Sequence, residues 1–136
     1  MPALVEERST HLRSWVVPTP AAGVKRGEFH QIGDVWGFST STVPDPTSGP
    51  TASTVGEMPG TNVYNFVWQC EGGGGLRVPK DPPQTISRGT RAYFHPVNES
   101  FTDVASGANH VGFWRDDYLP GDTFGIIDFD GRLYRL

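Results

Sequence analysis

The sequence predicts an all-β fold, either an antiparallel β-sandwich of jelly-roll-like form or a small barrel. Three observations predict it. Among 136 residues stand 17 glycines and 12 prolines, a load that helix interiors cannot carry, since Gly costs about 1 kcal/mol and Pro about 3 there. The chain also holds 8 Phe, 4 Trp and 4 Tyr, enough aromatic surface for a packed core and too much for a disordered chain. Turn signals recur about every 8–12 residues from residue 18 onward, the spacing of antiparallel β domains. The length fits one domain.

Taken in order, residues 1–14 (MPALVEERSTHLRS) form the one segment outside this rhythm. Leu4, Val5, Arg8 and Leu12 recur at about one helical turn, so the segment reads as an N-terminal arm or short amphipathic helix in search of a surface. The β domain is then 15–136. Trp15-Val16-Val17 is a short apolar run stopped by Pro18-Thr19-Pro20. Ala21-Ala22-Gly23 is a turn, 24–31 a polar edge strand, and Gly33-Asp34 a second turn. Residues 34–40 (DVWGFST) make a strand that Gly37 interrupts as a bulge. Residues 41–61 hold four prolines and three glycines and read as a long loop, which in compact domains is either functional or disordered.

Residues 62–70 (NVYNFVWQC) are the strongest strand, with Tyr64, Phe66, Trp68 and Cys70 on one face, the expected core face. Gly72–Gly75 is a turn, Leu76-Arg77-Val78 a short strand before Pro79, and 81–83 a loop. Strands follow at 90–97 and 100–104 around an Asn98-Glu99 turn, and at 110–115. Pro120-Gly121-Asp122 turns the chain into 123–129, and Asp130-Gly131 is a hairpin signal into a last strand at 132–136.

Charge and motifs exclude several functions. The net charge of −4 without a Lys/Arg cluster argues against a nucleic-acid partner. No apolar run reaches the roughly 20 residues of a membrane span, and residues 1–17 carry Glu6, Glu7, Arg8 and Arg13 where a signal peptide needs an apolar stretch; the expectation is a soluble protein made in a host cytoplasm. The lone Cys70 makes no internal disulfide, and its place on an apolar face reads as a buried, inert thiol. His11, His30, His95 and His110 show no metal-ligand spacing. Gly72–Gly75 lacks the GK[ST] of a phosphate loop, and no GxSxG elbow is present. Residues 116–130 carry five acids and no base; turn-capping Asp is the leading reading, an acidic rim for a basic partner the other. No catalytic residue, metal or cofactor is expected.

The order of the β pieces resembles one family. AAGVKRGEFHQIGDVWGFSTSTV (21–43) is similar to the opening of the small β-rich decoration or cement proteins of tailed-phage capsids. FVWQCEGGGGLRVPK (66–80) resembles their next piece, a strand ending in Glu-Gly and then a short strand ending in Pro-Lys. SRGTRAYFHPVNESFT (87–102) resembles their following strand and hairpin, with Gly89, Tyr93 and Phe94 at matching positions. Val111-Gly112-Phe113 and 121–128 resemble the closing strands. The resemblance spans 15–136 and leaves 1–14 outside.

The resemblance implies a virion protein on the outer capsid surface that ties major capsid protein subunits together at two-fold or three-fold positions. It implies no enzyme activity and no cofactor. The implied partners are the major capsid protein and neighbouring copies, as dimer or trimer. Leu4, Val5, Leu12 and Trp15 would form a partner-binding arm, with Val43 and Met58 of the long loop as further contacts. The alternative is a carbohydrate-binding sandwich of a tail or adhesin, recognisable by exposed, coplanar tryptophans. A small dUTPase-like or cupin-like enzyme ranks last, for want of clustered His/Glu ligands or a phosphate loop.

Overall fold

The computed structural model describes residues 3–8, 11–43, 63–71, 75–81 and 83–133. Among the described residues ten strands run β1 (Glu6–Glu7), β2 (His11–Pro18), β3 (Phe29–Ile32), β4 (Val35–Ser39), β5 (Val63–Glu71), β6 (Leu76–Pro79), β7 (Arg91–His95), β8 (Ser100–Thr102), β9 (Asn109–Trp114) and β10 (Phe124–Phe129). They form a six-stranded sheet, β1-β6-β10-β9-β7-β8, and a four-stranded sheet, β2-β5-β4-β3, with every strand pair antiparallel. Two packed sheets make a β-sandwich; the barrel alternative is set aside. Among the described residues no helix is long and apolar enough to cross a membrane.

The N-terminal segment corrects the helix-or-arm expectation. The Val5 N–H donates to the Gly27 carbonyl at 2.8 Å, and the Phe29 N–H to that of Ala3 at 2.9 Å, beside a Leu4–Glu28 bridge. Two residues on, Glu6 pairs with Arg77 and Glu7 with Leu76. Residues 3–7 therefore run from the β3 edge of one sheet to the β6 edge of the other and stitch the sandwich shut. The side-chain period is two, not 3.6: Ala3 and Val5 are buried in the core while Leu4 and Glu6 face out. Strand pairing satisfies the backbone here more completely than a short isolated helix could. The Glu99 carboxylate fixes the start, accepting the Ala3 N–H at 2.6 Å.

Phe29 is the hub of the main core. Its ring meets those of Trp36 (5.5 Å), Phe94 (4.8 Å), Phe101 (5.0 Å) and Phe129 (5.6 Å), from both sheets, and such pairs contribute about 0.5–1.5 kcal/mol each beyond burial. The expected polar edge strand at 24–31 is thus shorter and delivers a central core residue.

Strand β5 departs from simple alternation. Arg13 pairs with Gln69 but Ser14 with Val67, so Trp68 is the extra residue of a bulge. Val67 and Cys70, three positions apart, both enter the main core, whereas Tyr64 and Phe66 join a second cluster with Val24 and Val43. The expected common face of Tyr64, Phe66, Trp68 and Cys70 is therefore split. Gly37 is no bulge: it pairs regularly with His30. A Cβ on it would stand 2.6 Å from Cζ of Phe66, so its missing side chain is what lets that ring lie over β4.

The end of the chain differs too. Asp130-Gly131 is not a hairpin. Asp130 bridges Gln69, the Gly131 N–H donates to Trp68 O at 2.8 Å, and Gly131 O accepts from Trp36 N at 3.0 Å. The chain leaving β10 wedges between β4 and β5. Residues 44–62, 72–74 and 134–136, which include most of the predicted long loop and glycine turn and the end of the predicted last strand, lie outside the described residues.

Candidate partner-binding surface

Strand β2 lies at an edge of its sheet. The other edges are short or covered: residues 3–4 lie along β3, β1 has two residues, and Lys80-Asp81 pair beside Phe101 of β8. Among the described residues nothing pairs with the outer side of β2, which is eight residues long. Its apolar run shows to solvent on both faces. Trp15 is 41% exposed on the face it shares with Phe66; Val16 is 67% and Val63 44% exposed on the opposite face. Proteins usually shield long edges of this kind.

The Trp15 ring stacks on Phe66 at 6.0 Å and tilts by 43° against Trp68 at 5.8 Å. The Arg132 guanidinium covers Trp68 at 4.4 Å. Asp130 holds that guanidinium through Nε at 3.0 Å and Nη2 at 2.9 Å, and accepts Gln69 Nε2 at 3.2 Å. The result is an aromatic strip with a braced cation at one end, beside a strand that ends its sheet. It can offer apolar contact and backbone hydrogen bonds to a partner strand.

The sequence-predicted contact residues do not gather there. Val5 and Val43 are buried inside the domain: Val5 turns into the core from the stitching strand, and Val43 pairs through its backbone with Val24 within the second cluster. Leu12 packs partly buried against the main core. Leu4 is exposed, but beside the β3 edge, across the sheet from Trp15. Met58 lies outside the described residues. Trp15 alone remains on the candidate surface. Val16 and Val63 were missed; the signal was the run Trp15-Val16-Val17, since three successive apolar residues place apolar surface on both faces of a strand.

The chemistry-bearing groups are locally engaged. His30 donates from Nδ1 to Glu28 O at 2.9 Å, leaving Nε2 to accept the Tyr64 hydroxyl at 2.6 Å. His110 Nε2 donates to Gly112 O at 3.0 Å; burial, aided by Arg91, holds its pKa below the usual value. The His95 Nδ1 accepts the Asn98 N–H at 3.2 Å. Burial, and then the Glu7 carboxylate, push the Cys70 thiol up to about 12, so it stays protonated and unreactive near neutral pH. Of the acids of 116–130, Asp122 and Asp130 follow the turn reading, accepting the Leu119 and Arg132 N–H groups; Asp117 accepts the N–H of Arg88, distant in sequence, and Asp116 and Asp128 pair with Arg88 and Arg115. Among the described residues no three His, Cys, Asp or Glu come together as a metal site. Two concavities among the described residues are open depressions, one of about 280 Å³ beside Val24 and one of about 370 Å³ beside Cys70.

The indoles nearest the surface adjoin but are not coplanar, Trp15 tilting by 43° against Trp68. Trp36 and Trp114 are core residues, Trp68 lies beneath Arg132, and Trp15 alone is strongly exposed. Comparison with known protein families and with curated proteins finds no match.

Proposed function

We propose that this protein is a capsid decoration protein: a non-enzymatic module that binds the outer surface of an assembled phage head and reinforces contacts between major capsid protein subunits. The observation that carries the reading is the edge strand β2, with Trp15 and Val16 exposed on its two faces, on a sandwich that its own N-terminal strand ties shut. The resemblance of its glycine and apolar order to that of cement proteins is in keeping with it. A rigid body with one apolar edge suits a lattice, where modest contacts at many linked sites add up through avidity. Trp is also a common anchor at such interfaces. The 43° tilt between Trp15 and Trp68 and the guanidinium over Trp68 favour this over sugar binding, which calls for open, coplanar platforms.

The test is co-sedimentation of the purified chain with expanded, empty heads built from the major capsid protein encoded alongside it. The expected result is saturable binding at a fixed ratio to that protein, weakened at least about tenfold by Trp15→Ala or Val16→Asp. Absence of binding at any ionic strength overturns the reading.

A further inference from the structure

Among the described residues Glu99 alone combines a side chain with a left-handed backbone, φ 56°. It lies in the turn between β7 and β8, where its N–H donates to His95 O at 2.9 Å and the Asn98 N–H to His95 Nδ1 at 3.2 Å. Residues with a Cβ avoid this conformation, and it persists only where the surroundings impose it. Those turn bonds would suit a glycine as well. What glutamate adds is a carboxylate, which accepts the Ala3 N–H at 2.6 Å. Ala3 leads into β1, and β1 and β8 are the two ends of the six-stranded sheet. The bond therefore ties the ends of that sheet together, where Lys80, just past β6, also bridges Phe101 of β8.

The segment that Glu99 holds is lightly anchored elsewhere. The side chains it buries are Ala3 and Val5, small beside the rings of the main core. Its ion pairs, Glu6 with Arg8 and Arg77 and Glu7 with Arg26, reach arginines at the surface, and pairs of that kind add little. Its backbone is bonded at Val5 to Gly27 O, at Ala3 O to the Phe29 N–H and at Arg8 to Gly75 O. The fit is close: a Cβ on Gly27 would overlap the Val5 carbonyl. We infer that residues 3–8 are a strap latched by Glu99, which opens as one unit ahead of the rest of the sandwich. In opening it uncovers the β3 and β6 edges together, because the one segment caps both. Open strand edges are the features most prone to pair with another chain, so the latch governs when this protein presents them. The left-handed turn at Glu99 is retained because it aims the carboxylate at the strap.

The test is native-state amide exchange on the full chain, read residue by residue by NMR. In wild type the Val5, Arg8 and Phe29 amides are expected to share one protection factor, at least about tenfold below those of Trp114 and Asp130, which bond Thr90 O and Val111 O inside the other sheet. Glu99→Gly suits the left-handed turn but carries no acceptor. It is expected to speed exchange at the three strap amides at least about tenfold and to leave Trp114 and Asp130 unchanged. Glu99→Gln keeps an oxygen that can accept the Ala3 N–H and is expected to restore most of the protection. Strap amides as protected as Trp114 and Asp130 in wild type would make the strap part of the global unit and overturn the inference. So would a Glu99→Gly variant that leaves the strap amides unchanged, or one that speeds all five amides alike.

Discussion

Gly131 stands between Trp36 and Trp68, accepting from the backbone of the first at 3.0 Å and donating to that of the second at 2.8 Å. It joins two strands that have parted: β4 and β5 pair directly only at Phe38–Val67 and Ser39–Phe66. A Cβ at Gly131 would overlap the Trp36 carbonyl. Gly131→Ala is expected to cost at least about 2 kcal/mol, through backbone displacement and loss of the two bonds. Urea denaturation measures it, and a midpoint equal to wild type would show that the wedge is not rigid.

Adjacent residues of the N-terminal strand should differ sharply. Val5→Ala is expected to destabilise by roughly 1–3 kcal/mol because it opens space in the core. Leu4→Ala, at an exposed position, should cost less than about 1 kcal/mol. Equal effects would mean that the segment does not pack as a strand.

Cys70 offers a pH test. Its thiol is raised from 9.0 to about 12 by burial and the Glu7 carboxylate, so the unfolded chain releases this proton at a lower pH than the native one. The contribution to stability is therefore complete below about 9 and is lost as pH rises from 9 towards 12. Cys70→Ala should flatten that fall. In the native protein a thiol reagent near neutral pH should label Cys70 only as fast as the fold opens.

Fluorescence tests the placement of the tryptophans. Trp15 is 41% exposed while Trp36 and Trp114 are buried at 7% and 1%. Trp15→Phe should remove most of the emission that acrylamide quenches readily. Quenching left at the wild-type level would place another indole at the surface.

What the sequence determined by itself is the class of fold and most of its turns. Glycine, proline and aromatic content act locally, so Gly33-Asp34 between β3 and β4 and Pro120-Gly121-Asp122 before β10 were readable from propensity alone. The turn roles of Asp122 and Asp130 were readable for the same reason, whereas Cys70 is buried as expected but on the other side of the sheet. Tertiary structure decided the rest. A bulge at Trp68 sends Cys70 to the opposite side of the sheet from Phe66, and a single inserted residue leaves no periodic trace. Val5 and Val43 looked like free apolar contacts because their partners, Gly27 and Val24, are distant in sequence. Trp15-Val16-Val17 becomes a surface only because β2 ends a sheet. Whether a strand is central or at an edge depends on long-range pairing, which the chain settles by burying its whole apolar surface at once rather than segment by segment.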